Sequence, residues 1–217
     1  MREKTSFNVP RRLLAVAVLA LAGSAWAVPD AQFQPAFEQF VQATHGSDSA
    51  IGKSADAFAA LLKAEPANPV LMAYAGAATA MKANTTWLPW KKMAYAEDGM
   101  AQLDKAVAML KPAHDAPLQH NLPATLEVRF VAANTFLAVP GFMNRGARGN
   151  KLLGEVLASP LLAACPLPFR GDVWMKAAEV AAKDKRIDDA RKYLNEVVNA
   201  RAPQADAARA QLKALAS

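Results

Sequence analysis

Across residues 87–110 apolar side chains return every three or four positions: Met93, Ala96, Met100, Leu103, Val107 and Leu110. That period places them on one stripe of a single α-helix. Lys91, Lys92, Asp98, Gln102, Asp104, Lys105 and Lys111 fall largely off the stripe, so one face is dry and the other wet. Pro112 ends the run, because it has no N–H to give and its ring clashes with the preceding turn. A helix with one apolar face cannot bury that face alone. The stripe therefore requires helices before and after it in the chain.

The sequence supplies them. Phe33, Phe37, Phe40 and Val41 mark a first amphipathic helix, closed by the polar run 44–49. A second covers about 49–64, with Ile51, Ala55, Phe58, Leu61 and Leu62 on its apolar face. A two-proline turn, Pro66 and Pro69, leads to an alanine-rich third helix over about 70–83. Gly76 interrupts it, and glycine's cost of about 1 kcal/mol inside a helix is accepted where another helix must approach closely. Residues 112–123 read as a polar loop carrying His114 and His120. Leu126, Phe130, Ala133 and Leu137 mark a helix over 124–139, and further helices fall near 149–158, 171–183, 187–200 and 203–215. No alternating strand pattern and no Asn-Gly hairpin signal appears. The expected fold is all-α, with antiparallel helix pairs stacked as a short solenoid or bundle.

Residues 1–27 have the pattern of a secretory signal peptide. Arg2, Lys4, Arg11 and Arg12 give a basic start, residues 13–22 a short apolar stretch, and Ala25-Trp26-Ala27 a small-x-small cleavage site. The apolar stretch falls short of the ~20 residues that span a bilayer, although an uncleaved anchor is the alternative. No second such stretch follows, so no stable membrane span is expected after cleavage. The expected location is periplasmic or secreted, with residues 28–217 as the mature domain. Losing the leader's four basic residues and Glu3 takes the formal charge from +6 to +3. No Lys/Arg block with interleaved aromatics appears, so a nucleic-acid partner is not expected. Cys165 is the single cysteine and can form no intramolecular disulfide. A buried apolar thiol and a reactive one are both open.

The C-terminal part carries a repeat pattern. Trp174-x-x-Ala177-Ala178-x-x-Ala181 is followed by Ala190-x-x-x-Leu194 and Pro203. The tetratricopeptide repeat reads Trp-x-x-Leu-Gly-x-x-Tyr, then Ala-x-x-x-Phe, then Pro, over 34 residues. The stretch resembles that family in its Trp-to-Ala separation and in the Lys183–Arg186 turn, and departs from it by alanine at the Leu, Gly and Tyr positions and a proline one residue late. Ser54-x-x-x-Phe58 with Pro66, then Gly76, forms a second, weaker match, and Trp90 with Ala106-x-x-x-Leu110 a third. The resemblance covers about two thirds of the mature chain in degenerate form. It implies a tetratricopeptide-like (TPR-like) solenoid whose stacked helix pairs bind a protein or peptide on their concave face, without enzymatic chemistry.

Motifs for catalysis are missing: no Gly-rich phosphate loop, no Gly-x-Ser-x-Gly elbow and no His-Glu-x-x-His. His45, His114 and His120 are too scattered for a helical metal pair and read as solvated loop residues, and no cofactor is expected. The methionines read as core filler rather than soft metal ligands. Glu127 and Arg129 near the start of the fifth helix could pair or act on a substrate, but exposed charges there need no special reason. Two places stand out as interaction surface: Trp87 and Trp90 around a proline ahead of two lysines, and Phe142, Met143 and Arg145 in a helix-breaking loop. A protein- or peptide-binding scaffold is the leading expectation. The alternative is a small-molecule or lipid carrier with a Met/aromatic-lined cavity, and a third reading is an enzyme whose residues converge only in space. An open groove favours the first, an enclosed apolar cavity the second, and convergent titratable groups in a cleft the third.

Overall fold

In the computed structural model the described residues are 28–215. The leader assignment on residues 1–27 lies outside them. The described residues form nine α-helices: α1 (Asp30–Thr44), α2 (Asp48–Ala64), α3 (Pro69–Met81), α4 (Pro89–Ala108), α5 (Ala124–Ala138), α6 (Gly146–Ala158), α7 (Leu167–Lys183), α8 (Ile187–Asn199) and α9 (Ala205–Ala214). Helices adjacent in sequence pack as pairs, and the fold is all-α. Among the described residues no helix is long and apolar enough to cross a membrane.

The axis of the fold is α3 rather than the striped helix α4. Every residue of α3 from Pro69 to Ala78 is buried, and α1, α2, α4 and α5 all pack on it. Its alanines and Gly76 are small and apolar on all sides, which gives burial all round and therefore no stripe to read. Asn68 starts it, with Oδ1 accepting from Val70 N–H at 3.0 Å and Leu71 N–H at 3.2 Å, while Nδ2 donates to Glu65. Pro69 sits at the first helical position, where its missing N–H is not needed.

Gly76 does admit a neighbouring helix closely. A Cβ on Gly76 would stand 2.8 Å from the Gly99 carbonyl oxygen of α4, and one on Gly99 would strike backbone atoms of Gly76 and Ala80. The two helices touch backbone to backbone. On α4 the expected stripe holds in its middle, where Ala96, Met100 and Leu103 are buried. It fails at its start, where Met93 is exposed, and it loosens at Val107 and Leu110, which are only half-buried.

A short antiparallel hairpin interrupts the loop before α5, contrary to the strand-free expectation. β1 (Pro117–Gln119) pairs with β2 (Leu122–Pro123), and the corner residues His120 and Asn121 both have φ of 53°. Two left-handed residues at the corner match the twist of a tight hairpin, a role more often filled by Asn-Gly. Gln119 Nε2 donates to the Val28 carbonyl at 3.1 Å and ties the hairpin to the chain ahead of α1.

At the C-terminal end α7, α8 and α9 enclose a small core of their own around Ala178, Leu194, Val197, Ala202 and Ala208. Ala177, Ala178, Ala181, Ala190 and Leu194, the small and apolar positions of the repeat pattern, are all buried. The turn after α7 closes with Arg186 N–H donating to Ala181 C=O and Lys185 N–H to Ala182 C=O, Lys185 being left-handed at φ 61°. The turn after α8 repeats this with Arg201 and Ala202, and the turn after α1 with Gly46 and Ser47. Each is a Schellman closure, which satisfies the last helical carbonyls and reverses the chain into the next helix. Cys165 is buried, its thiol donating to the Leu161 carbonyl at 3.4 Å, and burial pushes that thiol up from its ordinary value.

Candidate functional site

The first helix of each pair faces one open groove of about 1120 Å³. α1 contributes Phe37, Phe40 and Val41, α3 Tyr74, Ala77 and Met81, α5 Glu127, Phe130 and Asn134, and α7 Phe169, Asp172 and Lys176. The second helices barely reach it: α2 supplies its first turn and α4 only Ala96, while neither α6 nor α8 appears on the wall. On α5 the groove-facing residues Glu127, Val131, Asn134 and Ala138 repeat at three- and four-residue steps, so a single helical stripe forms much of the floor.

Glu127 lies at that floor with 1% of its surface exposed. Tyr74 Oη donates to Glu127 Oε1 at 2.9 Å, and His120 Nδ1 lies 3.1 Å from the same oxygen. Burial pushes the Glu127 carboxyl above its ordinary value, while the hydrogen bond and charge of His120, and then the Tyr74 hydroxyl, pull it back. Burial first and the adjoining Glu127 second hold the Tyr74 phenol well above its ordinary value. Glu127 Oε2 and His120 Nε2 are buried with no hydrogen-bond partner, and so is Oδ1 of Asn134 two turns further along α5.

The surroundings of the trio are aromatic. The His120 ring stands 4.2 Å from Phe37 and 4.5 Å from Phe33, centroid to centroid. Tyr74 stacks on Phe58 and meets Phe40 edge-on at 5.0 Å. The left-handed corner at His120 is what turns its imidazole back onto α1 and α5, a strained conformation held at a polar cluster.

Sequence reasoning missed this site. His120 was expected in solvent and Glu127 among exposed charges; both are gathered under α1 by a hairpin that sequence periodicity does not reveal. Arg129 does not pair with Glu127, because two residues along a helix is the opposite side; it pairs with Glu155 of α6 at 3.0 Å. The one acidic residue of α5, set between two apolar neighbours in Leu126-Glu127-Val128, was the available signal.

The five residues singled out beforehand lie elsewhere, and none of them lines the groove. Trp87 (83% exposed) and Trp90 (66%) stand in solvent at the start of α4. Phe142 is exposed and Met143 half-buried on the turn between α5 and α6. Arg145 joins Arg148 in gripping Asp104 of α4, at 2.8 Å and 2.7 Å, and both guanidinium groups lie over the Phe136 ring. The structure thus keeps Phe142, Met143 and Arg145 together and places the tryptophans separately.

Chemically, the trio offers a buried acceptor and an imidazole fixed by its Nδ1 contact. Among the described residues no hydroxyl or thiol is hydrogen-bonded to His120 as a nucleophile, and no group of three or more His, Cys, Asp or Glu is placed to hold a metal ion. No protein-family model, curated protein or solved structure matches this chain.

Proposed function

We propose that the protein is an exported, TPR-like scaffold that binds a peptide segment of a partner protein in the groove and performs no chemistry on it. The observation that carries this reading is the construction of the groove. It is open, it runs across α1, α3, α5 and α7, and at about 1120 Å³ it stands just above the roughly 300–1,000 Å³ of small-ligand clefts. A solenoid of helix pairs presents its first helices on one side in this way, and extended surfaces of that kind suit extended partners. The Schellman turns and the buried small residues of α7 and α8 support the repeat reading. A small apolar molecule is the second reading, favoured by the aromatic wall and by Met81 and Met175 on it.

The test is selection of a random-peptide display library on the purified protein, followed by affinity measurement on synthetic peptides by fluorescence polarisation. Ala138, exposed on the groove wall at the end of α5, is replaced by tryptophan to fill the groove without entering the core. Selected peptides should lose at least tenfold in affinity for Ala138→Trp while its thermal unfolding stays at the wild-type temperature. Peptides that ignore Ala138→Trp but are lost with Trp87→Ser/Trp90→Ser would move the binding face to α4 and overturn the groove reading. A library that yields no binder at all would overturn it too.

A further inference from the structure

We infer that the groove recognises a cationic group, an ammonium or guanidinium carried by its ligand, seated against Glu127. The inference rests on the peptide-binding reading for its first source of that group, a lysine or arginine side chain, and it names what the groove selects.

Three observations on the site converge. Glu127 is almost wholly buried, yet only one of its carboxylate oxygens is used: Tyr74 and His120 both approach Oε1, and Oε2 accepts nothing. A buried acceptor without a donor costs free energy, and a ligand that brings an N–H to it removes that cost. The second observation is charge. The acidic groove residues are Asp48, Glu127, Asp172 and Glu179, whereas the single lysine, Lys176, is held by Glu179 at 2.6 Å. Among the described groove residues carboxyl groups thus outnumber lysine and arginine side chains four to one, a wall that disfavours a carboxylate or phosphate and favours a cation. The third is the aromatic lining. Phe37, Phe40, Tyr74 and Phe130 line the same groove as the acid, and aromatic walls favour a cation, more so where water is excluded.

The second unpartnered acceptor fits the same ligand. Asn134 lies seven residues beyond Glu127 on α5, about 10 Å along the helix axis. Its Oδ1 can accept from a backbone N–H of an extended segment whose basic side chain reaches Glu127. An apolar ligand would leave both acceptors unsatisfied, and an acidic one would face Glu127 and Asp172. A neutral amide could satisfy Oε2 but gains nothing from the surrounding charge.

The experiment uses two display libraries, identical except that one lacks lysine and arginine. Binders from the complete library should carry a basic residue at a fixed position. Replacing it with norleucine in the synthetic peptide should weaken binding by roughly 10- to 100-fold, the range for loss of a charge-assisted hydrogen bond. In Glu127→Gln that discrimination should shrink to less than about threefold by the same argument. If that variant does not fold, the imidazole ¹⁵N signals of His120 in the wild-type protein decide: they must move with the lysine peptide and stay with its norleucine version. Groove-dependent binders of equal affinity from the library lacking basic residues would overturn the cation inference and leave peptide binding standing. If neither library binds, cadaverine and the uncharged pentane-1,5-diol are compared by thermal shift. Stabilisation by cadaverine alone, lost in Glu127→Gln, would assign the site to a free amine and remove the peptide reading. No effect of cadaverine would overturn both.

Discussion

Gly99 and Gly154 both lie inside helices, and the same substitution at the two should have opposite signs. At Gly154 on α6 an added methyl meets nothing within 4 Å, so alanine gains only its better helix propensity. Gly154→Ala should therefore stabilise by about 0.5–1 kcal/mol. At Gly99 the same gain is available, but the new Cβ would lie 2.5 Å from the Ala80 nitrogen and 2.7 Å from its Cβ. The atoms struck belong to the backbone and first carbon of α3, which cannot rotate away, so α3 and α4 must separate by about 1 Å. Overpacking of this kind costs about 1–3 kcal/mol, and a rigid obstacle places it at the upper end. Separation also loosens contacts along both helices, since a gap of that size forfeits a quarter to a half of each contact's attraction. Subtracting the propensity gain leaves Gly99→Ala destabilised by about 2 kcal/mol, or roughly 4–8 °C in Tm for a domain of this length. Urea unfolding followed by circular dichroism measures both variants against wild type. A Gly99→Ala within about 0.5 kcal/mol of wild type would mean that the α3–α4 contact has slack and that the glycines do not set it.

Asn68→Ala removes the acceptor for two N–H groups at the start of the most buried helix and should cost about 1–2 kcal/mol by the same unfolding assay, whereas loss of under 0.3 would show that water replaces the cap. Glu127→Gln should change how stability depends on pH. The folded Glu127 carboxyl lies above its ordinary value of 4.5, with burial the largest cause, so its contribution is complete below 4.5 and is lost as pH rises through the folded value. The amide carries no such loss, so the stability of the variant relative to wild type should improve between pH 4 and pH 8. Asp172 is also raised, chiefly by burial, but is present in both proteins and cancels from the difference. Parallel stability curves across that range would show that Glu127 does not titrate between the folded and unfolded states.

How much of this was legible follows from where the information sits. A helix that buries one face writes its register into the sequence, and α4 and α8 could be read in that way. A helix buried on every side does not, which is why α3 passed for one alanine-rich helix among several, although Gly76 did disclose a close approach. The tight hairpin before α5 was hidden because His-Asn occupies the corner in place of a glycine-bearing pair. Glu127 and His120 were read as separate surface residues because their partnership depends on a seven-residue span folded back by that hairpin, with Tyr74 arriving from 53 residues away. Periodicity reports what each helix buries, not which pairs of helices share a polar group.

The placement of Glu127 joins stability to binding. α5 is packed on α3, α4 and α6, and Leu126 and Val128 on either side of the acid are fully buried. Glu127 therefore cannot swing out to water without unwinding a helix that the core needs. Tyr74 and His120 offset part of the desolvation, but both use the same oxygen, so Oε2 is left without a donor on a residue that lines the groove. A third donor from the protein would have made the site more stable and closed it to a ligand. Proteins that keep a buried polar group half-satisfied give up stability at that point, and such sites are commonly functional ones. Glu127→Leu alone would strand the buried Tyr74 hydroxyl, but combined with Tyr74→Phe it removes the acid together with that donor, and the double variant should match or exceed wild type in stability at neutral pH while abolishing any selectivity for a basic ligand. Thermal unfolding at pH 7 and the norleucine comparison measure the two effects separately. If the double variant is less stable than wild type, the carboxylate is a structural anchor for Tyr74 and His120, and the groove owes its shape rather than its selectivity to Glu127.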